Sequence, residues 1–189
     1  MKQIKSLFFV AAIFGLFSCS GPKVTEVQNG VQIQTDSALV KVQFYQDDAV
    51  RVQKCPINGT MEKKSIMVVQ NMQPVKFKVS TSRKKVTIES TELCVEICTK
   101  TGAITYTNDG KKVLTEQGFP TFTKYVSPNE NAYSIQQTFA LSKDEAIYGL
   151  GQNQSGILNY RGHKEKLVQT NTDAVVPFIW STAGYGILW

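Results

Sequence analysis

The sequence predicts an all-β fold, an antiparallel β-sandwich, on three observations. Residues 24–140 alternate apolar and polar positions almost throughout. Clusters of Asn, Asp, Thr and Gly punctuate the alternating runs. No eleven-residue window beyond the N-terminus carries an apolar stripe at helical spacing. Short strands with one apolar face each must bury those faces against a second sheet. At the usual 5–6 residues per strand, the region holds about a dozen of them.

The chain opens with an export signal, residues 1–18. Lys2 and Lys5 precede the apolar run Leu7–Phe17. That run is too short to span a bilayer, which needs roughly 20 apolar residues, and suits the core of a signal peptide. Leu16-Phe17-Ser18-Cys19 is similar to a bacterial lipobox, with Cys19 as the lipidation site and the mature N-terminus. The alternative is an ordinary secretory signal in which Ser18-Cys19 is coincidental. Residues 19–23 form a tether, and 24–189 form the sandwich domain.

Cleavage before Cys19 leaves 171 of 189 residues, enough for one domain with its own core. It removes two of the 21 basic residues, and 19 against 15 acids gives a net charge near +4. Lys63-Lys64, Arg83-Lys84-Lys85 and Lys111-Lys112 are scattered among expected turns, without the interleaved aromatics of a nucleic-acid groove. They read as solvated edges that discourage strand-to-strand aggregation, and no nucleic-acid partner is expected. Cys94 and Cys98 share a strand face about 13 Å apart, too far for a disulfide. With Cys55 they make an odd set, expected as buried, unpaired thiols. No cysteine or histidine spacing resembles a zinc site, and neither a metal nor a cofactor is expected.

Along the body, Val31-Ile33, Val40-Val42-Phe44, Val50-Val52, Val75-Phe77-Val79, Val86-Ile88, Val95-Ile97 and Ile135-Gln137-Phe139 mark successive strands. Gln28-Asn29-Gly30, Asn58-Gly59, Lys100-Thr101-Gly102 and Thr107-Asn108-Asp109-Gly110 mark hairpin turns, because Asn and Gly tolerate positive φ. Pro56, Pro74, Pro120 and Pro128 are expected between strands, where a missing N–H does no harm.

After Leu141 the alternation breaks. Ile147-Tyr148-Gly149-Leu150-Gly151-Gln152 reads as a strand entering a glycine turn, with no following helix to cradle a phosphate. The glycines let the backbone bend and approach a neighbour closely. Residues 153–171 then form a long loop, in which Leu158, Tyr160 and Leu167 argue for packing. Gln169, Asn171, Thr172 and Asp173 gather the planar amides, hydroxyl and carboxylate that recognise sugar hydroxyls. Asn171 and Thr172 equally suit the capping of a turn into the strand Ala174–Trp180. Ile187, Leu188 and Trp189 end the sequence on an apolar strand, which gives the expectation of a domain continued downstream.

These last forty residues resemble the N-terminal region of glycoside hydrolase family 31, the α-glucosidase and α-xylosidase family. The resemblance runs through Tyr148–Gln152, Leu158-Asn159-Tyr160-Arg161-Gly162, Leu167–Thr172, Val176-Pro177-Phe178, and Ser181 followed by Gly184-Tyr185-Gly186-Ile187-Leu188-Trp189. The Gln-Gly-rich variant is most similar to a Bacteroidota branch of α-xylosidases, often lipoproteins. The resemblance implies a galactose-mutarotase-like sandwich packed on a (β/α)8 barrel that lies beyond this chain. It implies Gln169, Asn171, Thr172 and Asp173 as substrate-binding positions near the barrel mouth, and an oligosaccharide as substrate. It also implies that the retaining pair of carboxylates, about 5 Å apart, stands on that barrel. No catalytic residue is therefore expected here.

The acids present offer no substitute. Asp47-Asp48 and Asp144-Glu145 are expected in solvated turns, without the burial that splits carboxylate pKa values. His163, the single histidine, stands in a basic loop and is expected at the surface. A stand-alone carbohydrate-binding lipoprotein, or an aldose epimerase on the same sandwich, are the other function classes. The reading frame beyond Trp189 discriminates them.

Overall fold

The computed structural model describes residues 22–62, 65–69, 71–127 and 130–189. The expected signal peptide, Cys19, most of the tether, Lys63-Lys64 and Pro128 lie outside the described residues. Thirteen strands and no helix make up the described chain. The first sheet is an antiparallel meander of β1 (Lys23–Val27), β2 (Gly30–Gln34), β3 (Ala38–Gln46) and β4 (Ala49–Pro56). The second contains β5 (Lys78–Thr81), β6 (Lys85–Glu89), β7 (Leu93–Cys98), β8 (Ile104–Asn108), β9 (Lys111–Ser127) and β10 (Glu130–Ala140). Its strands run in the order β10-β9-β8-β7-β6-β5. A third sheet holds β11 (Ile147–Gln152), β12 (Ala174–Ser181) and β13 (Tyr185–Leu188).

Cross-strand pairs share a face, so register assigns the core directly. Val31 faces Val42, and Ile33 faces Val40, on the inner side of the first sheet. Val86 faces Ile97, and Ile88 faces Val95, on the inner side of the second. These residues join Phe44, Leu93 and Ile104 in one buried apolar cluster between the sheets. Val75, Phe77 and Val79 pack against it, but the strand begins only at Lys78. The expected sandwich and its alternating core are thus present.

Most of the expected hairpin turns are present, but Asn58-Gly59 opens the long connection from β4 to β5 instead of a hairpin. Asp109 and Gly110 take φ of 47° and 72° between the paired residues Asn108 and Lys111. Two successive positive φ values match the twist of the flanking strands. Asn29 takes φ 54° in the turn between β1 and β2.

The prolines depart from expectation. Pro74 lies between strands, but Pro56 closes β4 and Pro120 stands inside β9. At that point β9 sets Gly118, Phe119 and Pro120 against Gln137 alone. The bulge breaks the ladder locally, so the absent N–H costs nothing there. Beyond it β9 and β10 continue as a long hairpin, with Ile135 opposite Phe122 on the face that continues the inner side. The four-stranded sheet does not reach so far, and Ile135 and Tyr133 are exposed.

The three described cysteines are free. Cys94 and Cys98 are half-buried on the outward face of β7, between core-facing Leu93, Val95 and Ile97. They are not core residues as expected, because alternation sends them to the other side of the strand.

One lysine lies far from any solvated edge. Lys54, on the inner face of β4, pairs across the sheets with Glu116 of β9 and donates to Gln137 Oε1 at 3.1 Å. Glu116 Oε2 also accepts from Ile104 N at 2.8 Å. Burial lowers the Lys54 ammonium and raises the Glu116 carboxyl, against their mutual attraction. Tyr106, half-buried beside Glu116, is pushed well above the usual tyrosine range by desolvation and by that carboxylate.

Candidate functional site

The third sheet and the loop within it carry the residues singled out from sequence. In β11, Gly149, Leu150 and Gly151 all take positive φ, at 114°, 65° and 86°. Opposite them, β12 sets Val176, Pro177 and Phe178 against Leu150 alone. A Cβ on Gly149 would stand 2.4 Å from Phe178 O, and one on Gly151 would stand 2.1 Å from Ala174 O. Close approach of two backbones therefore excludes side chains at both positions, as the sequence suggested.

Residues 153–173 connect β11 to β12 without a strand or helix. The loop is held down by polar groups rather than by its leucines. Asn159 Oδ1 accepts from Ile147 N at 3.1 Å and from Arg161 N at 3.0 Å. Tyr160 N donates to Ile147 O at 2.8 Å. Arg161 Nη1 donates to the carbonyls of Ser142 and Glu145, at 2.7 and 2.8 Å. Leu158 and Leu167 are exposed and Tyr160 is half-buried, which corrects the packing expected of the two leucines.

Glu145 gives a second correction. The sequence puts it in a solvated turn, yet it is buried at 4% exposure. Its Oε1 accepts from Ser181 Oγ at 2.6 Å and Tyr185 Oη at 2.5 Å. Its Oε2 accepts from Ser142 N at 2.7 Å. Burial pushes the carboxyl up, but the bonds from Ser181, Tyr185 and Ser142 outweigh it and hold Glu145 below the usual range. The same burial and bond push Tyr185 up to about 12. Asp144, its neighbour, takes no part in this network.

The four candidate sugar contacts sit at the end of the loop. Asp173 is half-buried and accepts from Gln154 N at 3.1 Å and from Thr170 Oγ1 at 2.8 Å. Gln169 Oε1 accepts from Val175 N at 3.0 Å. Thr170 Oγ1 also receives the N–H groups of Thr172 and Asp173. Thr170 thus does the turn-capping considered for its neighbours, and the Thr170-x-x-Asp173 spacing was the available signal. Asn171 and Thr172 project at the exposed tip, and the Asn171 amide makes no hydrogen bond among the described residues.

Beside this turn lies a cleft of about 210 Å³, lined by Asn153, Gln154, Glu165, Lys166, Asp173 and Leu150 among others. Of the four candidates only Asp173 lines it. A second cavity, about 240 Å³, is wholly apolar and bounded by Phe139, Leu150, Leu167, Ile179, Ile187 and Trp189. It separates the third sheet from β10. On the opposite face of the third sheet, Val176, Phe178, Trp180 and Leu188 are exposed, and Tyr148 stacks on Trp180 at 4.6 Å.

The two buried carboxylates, Glu116 and Glu145, are each hydrogen-bonded within the fold and line neither of these cavities. His163 is exposed. Among the described residues, no three His, Cys, Asp or Glu side chains gather closely enough to hold a metal ion.

Comparison with known proteins gives this arrangement its context. The family described as the glycosyl hydrolase 31 N-terminal galactose mutarotase-like domain matches residues 39–189. The chain belongs to that family. It is 34% identical over 160 residues to an α-xylosidase of Saccharolobus solfataricus, a match covering 79% of this chain and 22% of the relative. Its fold is similar to the crystal structure of a family 31 α-xylosidase from Xanthomonas citri, with a TM-score of 0.79 and 29% identity. That match covers 87% of this chain and 18% of the other. A Flavobacterium johnsoniae family 31 dextranase shares the fold at a TM-score of 0.65 and 20% identity, over 89% of this chain and 21% of the dextranase. The chain therefore spans about a fifth of the length of these relatives.

Proposed function

We propose that the chain is the non-catalytic N-terminal sandwich of a longer retaining α-glycosidase, an α-xylosidase or α-glucosidase acting on oligosaccharides. The match of residues 39–189 to the family's N-terminal domain carries this reading. The α-xylosidases at 34% and 29% identity support xylose as the finer choice. A retaining glycosidase needs two carboxylates about 5 Å apart flanking a sugar. Here the buried carboxylates serve the fold instead, which supports chemistry performed by another part of the polypeptide. The stand-alone binding module and the epimerase are not favoured. The exposed His163 lacks the pocket an epimerase base would need.

In this reading the tip of the β11–β12 loop, with Asn171 and Thr172 exposed and Gln169 and Asp173 bracing it, contributes polar contacts to the sugar. The polypeptide is exported and lipid-anchored through Cys19. The test compares the complete gene product with residues 19–189 on 4-nitrophenyl α-xyloside and α-glucoside. Turnover is expected from the complete product alone, greater on the xyloside; hydrolysis by residues 19–189 would overturn the reading. In the complete product, Asn171→Ala is expected to lower kcat/KM about tenfold without moving the melting temperature.

A further inference from the structure

Two Asn-Gly pairs occur in the sequence, Asn29-Gly30 and Asn58-Gly59, and the fold treats them oppositely. Such a pair carries latent chemistry. The Gly nitrogen has no Cβ beside it to obstruct attack on the Asn side-chain carbonyl. The attack requires the pair to turn, so its rate follows how firmly the fold holds it.

Asn29 is locked. It stands in the two-residue turn that joins β1 to β2, at φ 54°. Its Nδ2 donates to Phe44 O at 3.2 Å and to Gln73 O, and its own carbonyl accepts from Phe44 N at 2.8 Å. Gly30 is buried and paired with Gln43 of β3. A Cβ on Gly30 would stand 1.9 Å from Val42 O, so the backbones are in close contact there. Turning this pair would part β2 from β3.

Asn58 is loose. The chain leaves β4 at Pro56, and Asn58 and Gly59 are both exposed in the turn that follows. One bond closes that turn, from Gly59 N to Pro56 O at 2.7 Å. No hydrogen bond among the described residues holds the Asn58 amide. An exposed turn closed by a single bond opens locally at little cost, whereas a buried, paired hairpin opens only with its sheet.

We propose that Asn58 is a site of spontaneous covalent modification, in which Asn58-Gly59 closes to a succinimide and reopens as isoaspartate or aspartate. Gly59 N attacks Asn58 Cγ. The N–Cγ bond forms, the Cγ–Nδ2 bond breaks, and ammonia leaves with the proton shed by Gly59 N. Water then opens the ring at either carbonyl. Opening at the Asn58 main-chain carbonyl leaves isoaspartate, and opening at Cγ leaves aspartate. Each product carries a negative charge where a neutral amide stood. Isoaspartate also lengthens the main chain by one carbon at a crowded place. Gly59 packs on Cys55, since a Cβ there would meet Cys55 Sγ at 3.2 Å. The modification therefore loosens the end of β4, the terminal strand of its sheet.

The experiment holds the complete gene product at pH 8 and 37 °C and follows it by tryptic mass mapping. Cleavage after Lys and Arg places Asn29 in peptide 24–41 and Asn58 in peptide 55–63, each with no other Asn. In the folded protein deamidation is expected about tenfold or more faster at Asn58 than at Asn29; in concentrated urea the two rates should converge to within about threefold. Enzymatic methylation of peptide 55–63 is expected to reveal isoaspartate alongside aspartate. Asn58→Gln should remove that methylation and leave peptide 24–41 as it was. Equal rates in the folded protein, a faster Asn29, or a rate ratio unchanged by urea overturns the proposal. So does aspartate without isoaspartate, which would mean direct hydrolysis, or methylation of peptide 55–63 that persists in Asn58→Gln.

Discussion

Among the described residues between Lys23 and Ala140, ten large apolar side chains are almost completely buried, including Phe44, Ile33 and Ile104. Among the described residues from Leu141 onward, only Ile147 is a buried apolar residue. The two regions are nevertheless built from the same kind of strand. The sandwich uses two sheets that cover each other, so alternation converts directly into a dry core. The third sheet shows apolar groups on both faces and leaves one of them open. What holds it in shape is polar: the Glu145 network, the Asn159 and Arg161 bonds, and the backbone approach at Gly149 and Gly151. Directional bonds and glycine geometry thus take the place that packing holds in the sandwich.

Four measurements would break or sharpen that contrast. Phe44→Ala should cost about 3–5 kcal/mol in chemical denaturation, from lost burial and the cavity left behind. Phe178→Ala, at a 40% exposed position of the third sheet, should cost well under half as much. Equal losses would show that the two regions share one stabilising principle.

Glu116→Leu should also cost about 3–5 kcal/mol, because Lys54 is left charged and buried without its partner. Lys54→Met/Glu116→Leu should recover most of that loss. A double variant no more stable than Glu116→Leu would show that the remaining donors, not the lysine, depend on the carboxylate.

Glu145→Gln should cost about 1–3 kcal/mol, read as faster hydrogen exchange in β11–β13 with β7 unchanged. Its pH dependence has a definite sign. The folded carboxyl is held below its ordinary value, so the unfolded chain binds the proton more readily. The stabilisation is complete above the ordinary carboxylate range and is lost as pH falls through the lowered folded value. Acid should therefore loosen the third sheet of the wild type more than that of Glu145→Gln.

Asn171→Ala is the smallest, within about 0.5 kcal/mol, since its amide bonds to nothing described. A larger loss of stability would place Asn171 in the turn's own framework.

The sandwich was legible because period-two alternation and the sheet normal are the same fact seen in one and three dimensions. Val31, Ile33, Val40, Val42, Val86, Ile88, Val95 and Ile97 all lie where the alternation puts them. The Lys54–Glu116 pair was not legible, since Lys54 reads as the polar end of Val50-Val52 and its partner lies 62 positions away. Glu145 was misread for the same reason: its donors, Ser181 and Tyr185, come from strands 36 and 40 residues later. The loop leucines misled because apolar composition signals burial only where something covers it. Family membership was legible in the last forty residues, whose glycine and asparagine positions this backbone constrains most tightly.

The two widest irregularities of the sheets share a simple arithmetic. Gly118–Pro120 against Gln137, and Val176–Phe178 against Leu150, each place a surplus of two residues on one strand. An even surplus lets the strand resume in phase, so inside stays inside beyond the kink. Deleting one residue at either place would invert every side chain downstream, whereas deleting two should merely straighten the strand. Tolerance to length change at these sites should therefore go by parity rather than by size.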